Sequence, residues 1–379
     1  MTNSSLSKKI AYAYPVPHRY RLPFHQALRR LLEIRGIEYK YIYASNADDL
    51  GKGDTEVLPW ALDVPLRRFS AAGREAIWHP LIGEFMKLDL LIVQQENRQL
   101  ANYFLIPLAL LTGKRVAFFG HGRNFQAVNP NSVGERWKRF WSTKVHWWFA
   151  YTDETAKLIE SYGFPRNRIT VFNNAIDTTS ISLERARLDE ERISALRDEL
   201  VHGSHNVGVY VGGIYAEKRI DFLLKAARAI RAHVPDFNLL VIGAGPDSGL
   251  VEAATEDWIH YLGPKFREEK TELVALAKVW LMPGLVGLAV LDSFAYETPM
   301  VTCELPFHSP EFAYLENGVN GVVVADAEDP EAYALEVVHL LLDEDRRVAL
   351  VAGAARARST YTIEAMAKKF ADGVERALA

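Results

Sequence analysis

Four short segments between residues 205 and 324 share one pattern, in which a strand leads through a tight polar turn into a helix. They are VGVYVGGIYAEKRIDFLLKA (207–226), LLVIGAGPDSG (239–249), PGLVGLAVLDSFAYETPMV (283–301) and FHSPEFAYLENGVNGVVV (307–324). A turn of this kind points backbone N–H groups at an anion. Because the carboxyl ends of parallel strands meet at one edge of a sheet, four such turns predict a nucleoside-diphosphate site along that edge.

The first half of the chain also alternates strands with helices, which is typical of a doubly wound α/β domain. Its hydrophobic pattern predicts no regular secondary structure over residues 46–80. The predicted strands are 9–14, 38–44, 88–95, 115–122 and 168–177, and the predicted helices are 22–36, 99–113 and 135–149, with a short strand and helix over 150–163.

Two domains are expected, because 379 residues exceed what one ordinary core organises. Residues 178–205 are charged and lack strand character, so they predict a linker with one helix. We therefore predict domains over 1–180 and 181–361, followed by a C-terminal helix over 362–379 that packs back on the first domain.

Composition and charge narrow the class of protein. No apolar run is long enough for a transmembrane helix, and the first residues lack the apolar core of a signal peptide. With Cys303 as its single cysteine the chain forms no internal disulfide, and the cytosol is the expected compartment. Residues 1–180 hold 24 Lys and Arg against 16 Asp and Glu, whereas residues 181–379 hold 20 against 32. The basic half either faces an anionic partner, such as phospholipid or a phosphorylated acceptor, or is solvated surface; no nucleic-acid partner is expected.

Two signatures in the second half resemble the donor domain of glycosyltransferase family 4, a group of retaining enzymes with the GT-B fold. The family's Gly-Arg-x-x-x-Glu-Lys-Gly turn stands here as GGIYAEKR (212–219), and its Glu-Gly-Phe-Gly-x-x-x-x-Glu motif as GLVGLAVLD (284–292). Residues 150–177 also resemble the family's passage into its interdomain hinge. The resemblance implies an α/β GT-B fold, in which two doubly wound Rossmann-like domains, the acceptor side first and the donor side second, face each other across a cleft.

The resemblance also implies roles for single residues of the donor site. Lys218 would neutralise the donor diphosphate, since an ammonium near the leaving oxygen stabilises growing negative charge without a metal. Asp292 would accept hydrogen bonds from ribose hydroxyls, and His121, at the end of a buried strand, would lie close to the donor sugar as a second catalytic residue. The other implied donor-binding residues are Gly212, Gly213, Gly243, Gly245, Gly287, Leu288 and Glu311. Gly243 and Gly245 are equally consistent with purely structural turns, and Glu311 with a surface cap.

On the acceptor side, the family places the loop after the first strand in the cleft. Arg123 and Asn124 follow His121 on one loop, from which they could contact the acceptor or a phosphate. The candidates there are His18, Arg19, Arg21, Arg123 and Asn124. A basic helix and an aromatic helix favour either a membrane-facing surface or core packing, and they carry Arg29, Arg30, Arg35, Trp137, Trp141, Trp147 and Trp148.

Two positions depart from the family pattern. Gly213 stands where the family has a phosphate-binding arginine, and Gly284 where it has the first glutamate, near the transferred sugar. These two substitutions leave the identity of the donor sugar open. They also leave open whether activity is impaired or only retuned.

The expected activity is metal-independent, cofactor-free, retaining transfer of a hexosyl or deoxyhexosyl group from a nucleoside-diphosphate sugar to a hydroxyl acceptor. We expect that acceptor to be a glycan, such as a glycan on a lipid carrier, in cell-surface polysaccharide or glycolipid synthesis at the inner face of the membrane. A sugar-nucleotide epimerase and a non-catalytic nucleotide- or partner-binding protein of the same fold remain alternatives. Asp343-Glu344-Asp345 is interpreted as a helix cap rather than a metal-binding pair, and the chain has no HExxH, GxSxG or Walker A motif.

Overall fold

The computed structural model describes residues 8–47, 55–71, 74–122 and 132–379. The chain divides into two compact units: the first holds the residues up to Ile176 together with Ile363–Ala379, and the second holds Asp177–Thr362. The chain leaves the first unit at Ile176, where the sequence predicts 180, and returns to it at Ile363, where the sequence predicts 362.

The first unit is a doubly wound α/β structure. Its described strands are β1 Lys8–Ala13, β2 Ile37–Tyr43, β3 Leu62–Asp63, β4 Arg67–Ala71, β5 Arg74–Trp78, β6 Leu90–Gln94, β7 Arg115–Gly120, β8 Trp147–Ala150 and β9 Ile169–Val171. Seven of them form a parallel sheet in the order β3-β2-β1-β6-β7-β8-β9, and β4 pairs with β5 as an antiparallel hairpin. The helices are α1 Leu22–Ile34, α2 Ile82–Phe85, α3 Asn102–Thr112, α4 Val133–Ser142 and α5 Asp153–Ser161, with 3₁₀ turns at Arg19–Arg21 and Arg166–Arg168.

The sequence wrongly predicts one long helix over 135–149. Helix α4 ends at Ser142, and Trp147–Ala150 forms strand β8 between β7 and β9. Trp148 is fully buried there, and its indole N–H donates a hydrogen bond to the Ser142 carbonyl at 2.7 Å. Aromatic residues pack well on sheets, so a run of them does not by itself indicate a helix. The stretch predicted to be irregular holds strands β3, β4 and β5.

The second unit has a six-stranded, wholly parallel sheet. Its strands are β10 Val207–Val211, β11 Asn238–Ile242, β12 Ile259–Gly263, β13 Val279–Met282, β14 Met300–Cys303 and β15 Gly321–Val324. They are arranged in the order β12-β11-β10-β13-β14-β15. Apart from the half-buried edge strand β12, the strands are almost wholly apolar and buried, as expected when helices cover both faces of a parallel sheet.

The helices of the second unit include two that the sequence does not predict separately. They are α6 Thr178–Arg185, α7 Glu190–Val201, α8 Ile220–His233, α9 Ser248–Glu252, α10 Arg267–Ala275, α11 Ala289–Tyr296, α12 Pro330–Leu342 and α13 Glu344–Thr360, with 3₁₀ turns at Ala216–Lys218 and Pro310–Tyr314. Helices α6 and α7 fill the stretch predicted to be a linker with one helix. Asp177 and Asp189 cap their N-termini, accepting hydrogen bonds from the backbone N–H groups of Ser180 and Glu191.

The last helix, α14 Ile363–Leu378, belongs to the first unit. The Phe370 ring stacks on the Phe149 ring with centroids 4.0 Å apart, so α14 buries an aromatic contact against β8. Arg35, after α1, donates hydrogen bonds to Asp372 at 2.8 Å and Glu375 at 2.7 Å. These contacts hold α14 on the first unit.

Candidate functional site

The carboxyl ends of β11, β10, β13 and β14 lie side by side in the second unit, because these four strands are neighbours in a parallel sheet. The segments that leave them are 243–247, 212–219, 283–288 and 304–309. Backbone and side-chain hydrogen bonds join each segment to the next. The four predicted turn motifs therefore form one continuous edge.

The turns after β10 and β11 meet through their backbones. The Gly212 N–H donates to the Ile242 carbonyl and the Ile214 N–H to the Ala244 carbonyl, each at 3.0 Å. A Cβ atom at Gly243 would lie 1.9 Å from the Gly212 oxygen, and one at Gly245 would lie 2.0 Å from the Ile214 oxygen. Backbone packing alone therefore accounts for both glycines.

The turns after β10 and β13 are held together by Lys218. Its side chain is only 6% exposed, and its ammonium donates to the Leu285 carbonyl at 2.5 Å. The Leu285 N–H in turn donates to the Glu217 carbonyl at 2.8 Å. Burial lowers the pKa of Lys218 to about 8, so the ammonium is charged at neutral pH but weakly solvated.

The same contact between the two turns explains why residue 284 is a glycine. A Cβ atom there would lie 2.4 Å from the Glu217 carbonyl oxygen and 2.4 Å from the Lys218 carbonyl carbon. Both are backbone atoms, which cannot move aside as a flexible side chain can. The close approach of the two turns thus excludes the glutamate that the family pattern has at this position.

The turn after β13 is fixed on its other side by His308. The Val286 N–H donates to His308 Nδ1 at 3.0 Å, and His308 Nε2 donates to the Cys303 carbonyl at 2.9 Å. This pairing requires the neutral imidazole, and burial lowers the pKa of His308. The sequence singled out Glu311 in this segment but did not reveal that His308 supports the neighbouring turn.

Tyr215 occupies the space beside Gly213, the other position that departs from the family pattern. A Cβ atom at Gly213 would lie 2.8 Å from the Tyr215 ring. Arg219, the one neighbouring arginine in this motif, is directed elsewhere: it donates to the Ala327 carbonyl at 2.7 Å and to Glu328 at 3.1 Å. An aromatic ring therefore stands where the family pattern places a cation.

Helix α11 presents its N-terminus at this edge. Within the described parts of the chain, the backbone N–H groups of Gly213, Gly287, Leu288 and Ala289 have no hydrogen-bond acceptor. Free N–H groups at a helix start, together with a buried ammonium, make a site for an anion.

Asp292 lies in the first turn of α11, where the sequence places it, but with a partner that the sequence did not reveal. Lys270 of α10 approaches its carboxylate at 3.4 Å. Burial alone would lower the pKa of Lys270. The nearby Asp292 and Tyr296 together have the larger, opposite effect, so the pKa of Lys270 lies above its usual value. Glu311 is buried in the 3₁₀ turn Pro310–Tyr314 rather than on the surface.

In the first unit, His121 follows β7 and borders a cavity of about 340 Å³. Burial, with the positive charges of Lys138 and Arg21, lowers the pKa of His121 to about 3, so its imidazole is neutral at physiological pH. Gln95, which is 6% exposed, donates through its amide nitrogen to Gly122 and Ser142. Its amide oxygen has no donor among the described residues.

The structure describes three of the other acceptor-side candidates, Arg21, Arg19 and His18. Arg21 is buried and donates to Asn174 and to the Tyr151 hydroxyl, and Arg19 pairs with Glu56 at 3.1 Å. His18 is half-buried and stacks on Tyr20, with ring centroids 5.5 Å apart. Arg123 and Asn124 lie outside the described residues.

Comparison with known proteins agrees with this geometry. Residues 205–343 match the family model for glycosyl transferases group 1. The matched residues contain the turns after β10, β11, β13 and β14, so the match to this family model and the continuous edge coincide.

Curated relatives match over part of their length. The D-inositol 3-phosphate glycosyltransferase of Corynebacterium urealyticum is 29% identical over 234 residues, which are 58% of this chain and 54% of that protein. The alpha-D-kanosaminyltransferase of Streptomyces kanamyceticus is 24% identical over 163 residues, 41% of each chain. The chain thus spans about half the length of the first of these relatives, and less of the second.

Solved structures match nearly the whole fold. Anabaena HepE in complex with UDP aligns with a TM-score of 0.68 at 13% identity, covering 97% of this chain and 99% of that one. The pneumococcal O-GlcNAc transferase GtfA, in complex with UDP and GlcNAc, aligns with a TM-score of 0.66 at 13% identity, covering 98% and 99%. The GT-B fold predicted from the sequence is confirmed.

The contact at Gly284 predicts that Gly284→Ala lowers the free energy of unfolding by about 1–3 kcal/mol, because the new methyl group overlaps backbone that cannot relax. Chemical denaturation measures this change. Gly249→Ala is the matched control: its new methyl group meets no atom within 4 Å, so stability should hold or rise slightly. Equal stability of the two variants would contradict the close approach of the turns.

Proposed function

We propose that the protein transfers a sugar from a nucleoside-diphosphate sugar to a hydroxyl acceptor. The observation that carries the proposal is the buried Lys218 ammonium beside the free N–H groups of Gly213, Gly287, Leu288 and Ala289. A diphosphate matches such a set of donors in charge and hydrogen bonding. The match to the family model for glycosyl transferases group 1 over the same residues supports it.

The chemistry we propose needs no metal. As the bond between the anomeric carbon and the diphosphate breaks, negative charge grows on the leaving oxygen, and Lys218 and the start of α11 stabilise it. The low solvation of Lys218 strengthens this interaction. We propose a retaining outcome, with the acceptor attacking the face that the diphosphate leaves, on the strength of the resemblance to glycosyltransferase family 4.

The cavity beside His121 is our proposed place for the acceptor. It is lined by the carboxylates of Glu96 and Glu135 and by the ammonium of Lys138, whose pKa is lowered by burial. Hydroxyl groups donate to carboxylates and accept from an ammonium, whereas a phosphate would be repelled by the carboxylates. We therefore propose a hydroxyl-rich acceptor such as a glycan.

The proposal predicts release of nucleoside diphosphate when the protein is mixed with a sugar nucleotide and an acceptor. Lys218→Gln should lower kcat about 100-fold or more, since it removes the charge that stabilises the leaving group. Lys225→Gln, which removes an exposed ammonium paired with Asp221 on α8, is the control and should leave turnover unchanged. Conversion of the sugar nucleotide into its epimer, with no acceptor present and no net release of nucleoside diphosphate, would favour the epimerase. Binding without turnover, for UDP, GDP, ADP and dTDP sugars alike, would contradict the proposal that the protein is a transferase.

The pKa of Lys218 predicts a pH dependence of donor binding. Below pH about 8 the ammonium is charged, and above it the free protein loses this proton. Because a bound diphosphate favours the charged form, affinity should be constant near pH 7 and should weaken as the pH rises through about 8. Calorimetric titration with the nucleoside diphosphate between pH 6.5 and 9.5 measures this. A wild-type profile identical to that of Lys218→Gln would show that Lys218 does not contact the phosphates.

We also propose that the first unit docks on an anionic membrane. Val133, Trp137 and Phe140 follow one face of α4 and are 83%, 48% and 52% exposed. Arg136 and Arg139 are exposed on the same helix. Apolar side chains flanked by cations are typical of helices that lie in the interface of anionic bilayers.

Helix α3 extends this apolar surface. Phe104, Leu110 and Leu111 are exposed on it, and the Tyr103 ring lies 5.7 Å from the Trp137 ring, which brings α3 beside α4. Trp147 and Trp148, which the sequence also suggested for a membrane surface, are buried in β8. Among the described residues no helix is long and apolar enough to cross a membrane, so the proposed contact is peripheral.

Sedimentation with vesicles tests the membrane contact. The protein should sediment with phosphatidylglycerol-containing vesicles and much less with pure phosphatidylcholine, because the flanking arginines attract anionic lipid. Trp137→Ser should reduce sedimentation several-fold by removing an interfacial aromatic group. Val348→Ser, at a 56% exposed position on α13, is the control. Equal sedimentation of the two variants would contradict the assigned surface.

A further inference from the structure

An ion pair between α10 and α11 lies at the same edge as the proposed diphosphate site. Both helices begin where the chain leaves the carboxyl ends of β12 and β13. The Lys270 ammonium is 3.4 Å from Asp292 Oδ1, and the two side chains are 21% and 24% exposed. The pair is therefore shielded from solvent but still reachable by a ligand.

The geometry fixes one oxygen of Asp292 and leaves the other open. Lys270 is itself held, since its ammonium lies 5.3 Å from the centroid of the Tyr296 ring, and the Tyr296 hydroxyl is 3.2 Å from Thr271 Oγ1. Among the described residues, Asp292 Oδ2 has no hydrogen-bond or ion-pair partner. A carboxylate oriented in this way accepts hydrogen bonds and donates none.

A carboxylate beside a phosphate site has a restricted choice of ligand atoms. It repels the phosphate oxygens, so the group it meets must be a donor. In a nucleoside diphosphate whose phosphates lie at the start of α11, the ribose hydroxyls are the nearest donors. Lys270 reduces the repulsion by neutralising Asp292, and holds the carboxylate so that Oδ2 remains available.

We propose that Lys270 is a positioning residue for donor recognition, which acts through Asp292 to select a ribonucleoside diphosphate over its 2′-deoxy counterpart. The inference rests on the proposed function, because it takes the ligand to be a nucleoside diphosphate. It adds Lys270, a residue outside both family signatures, to the recognition of the donor.

Calorimetry on the full chain with UDP and 2′-deoxy-UDP, and with GDP and 2′-deoxy-GDP, tests it. Wild-type protein should bind the ribonucleotide about tenfold or more tightly, since a hydrogen bond to a charged group is lost with the hydroxyl. Lys270→Met should weaken the binding of both nucleotides, because Asp292 is then no longer neutralised, but it should weaken the ribonucleotide about tenfold more, which brings the ratio close to one. Lys270→Arg should keep most of the ratio, and Lys225→Met, from the exposed pair on α8, should keep all of it.

The melting temperature and the affinity ratio together separate the outcomes. If Lys270→Met weakens both nucleotides equally, or leaves the ratio unchanged with the fold intact, the positioning role is wrong while the proposed function stands. If Lys270→Met does not fold, the ratio for Lys270→Arg decides: a ratio near the wild-type value supports the role, and a ratio near one overturns it. Wild-type protein that binds none of the four nucleotides overturns the proposed function and this inference with it.

Discussion

The second unit is organised around the contact between the turn after β10 and the turn after β13. Lys218 donates to the Leu285 carbonyl, and the Leu285 N–H donates to the Glu217 carbonyl, so two strand ends are joined by a reciprocal pair of hydrogen bonds. The contact buries an ammonium that would otherwise be solvated, and this lowers the pKa of Lys218. It also brings the backbones so close that Gly284 has no room for a side chain.

The neighbouring turns extend this contact in both directions. Gly243 and Gly245 allow the turn after β11 to touch the turn after β10, and His308 joins the turn after β13 to the segment after β14. The edge is therefore held largely by backbone groups, and among the described residues the N–H groups of Gly287, Leu288 and Ala289 at the start of α11 have no acceptor. The departures at Gly213 and Gly284 follow from the same packing: one space is filled by Tyr215 and the other by the chain itself.

The sequence predicted what local patterns determine. Strand–turn–helix segments identified the parallel sheet of the second unit, and the signature around Lys218 and Asp292 identified the edge where its strands end. It did not predict β8, because the aromatic run around Trp147 is compatible with a helix until the neighbouring strands are known. Nor did it reveal Lys270, His308 or Tyr215 as parts of the site, since each contributes through a partner that only the tertiary fold brings near.

Hydrogen–deuterium exchange of the second unit, with and without a saturating nucleoside diphosphate, tests most directly whether the joined turns form one phosphate site. If they do, the ligand slows exchange in peptides covering 212–219 and 284–290 together, since free N–H groups in both segments become hydrogen-bonded. Peptides of α12 and α13, which lie outside the site, should exchange as before. Protection of only one of the two segments, or of neither while the nucleotide is bound, would contradict the account.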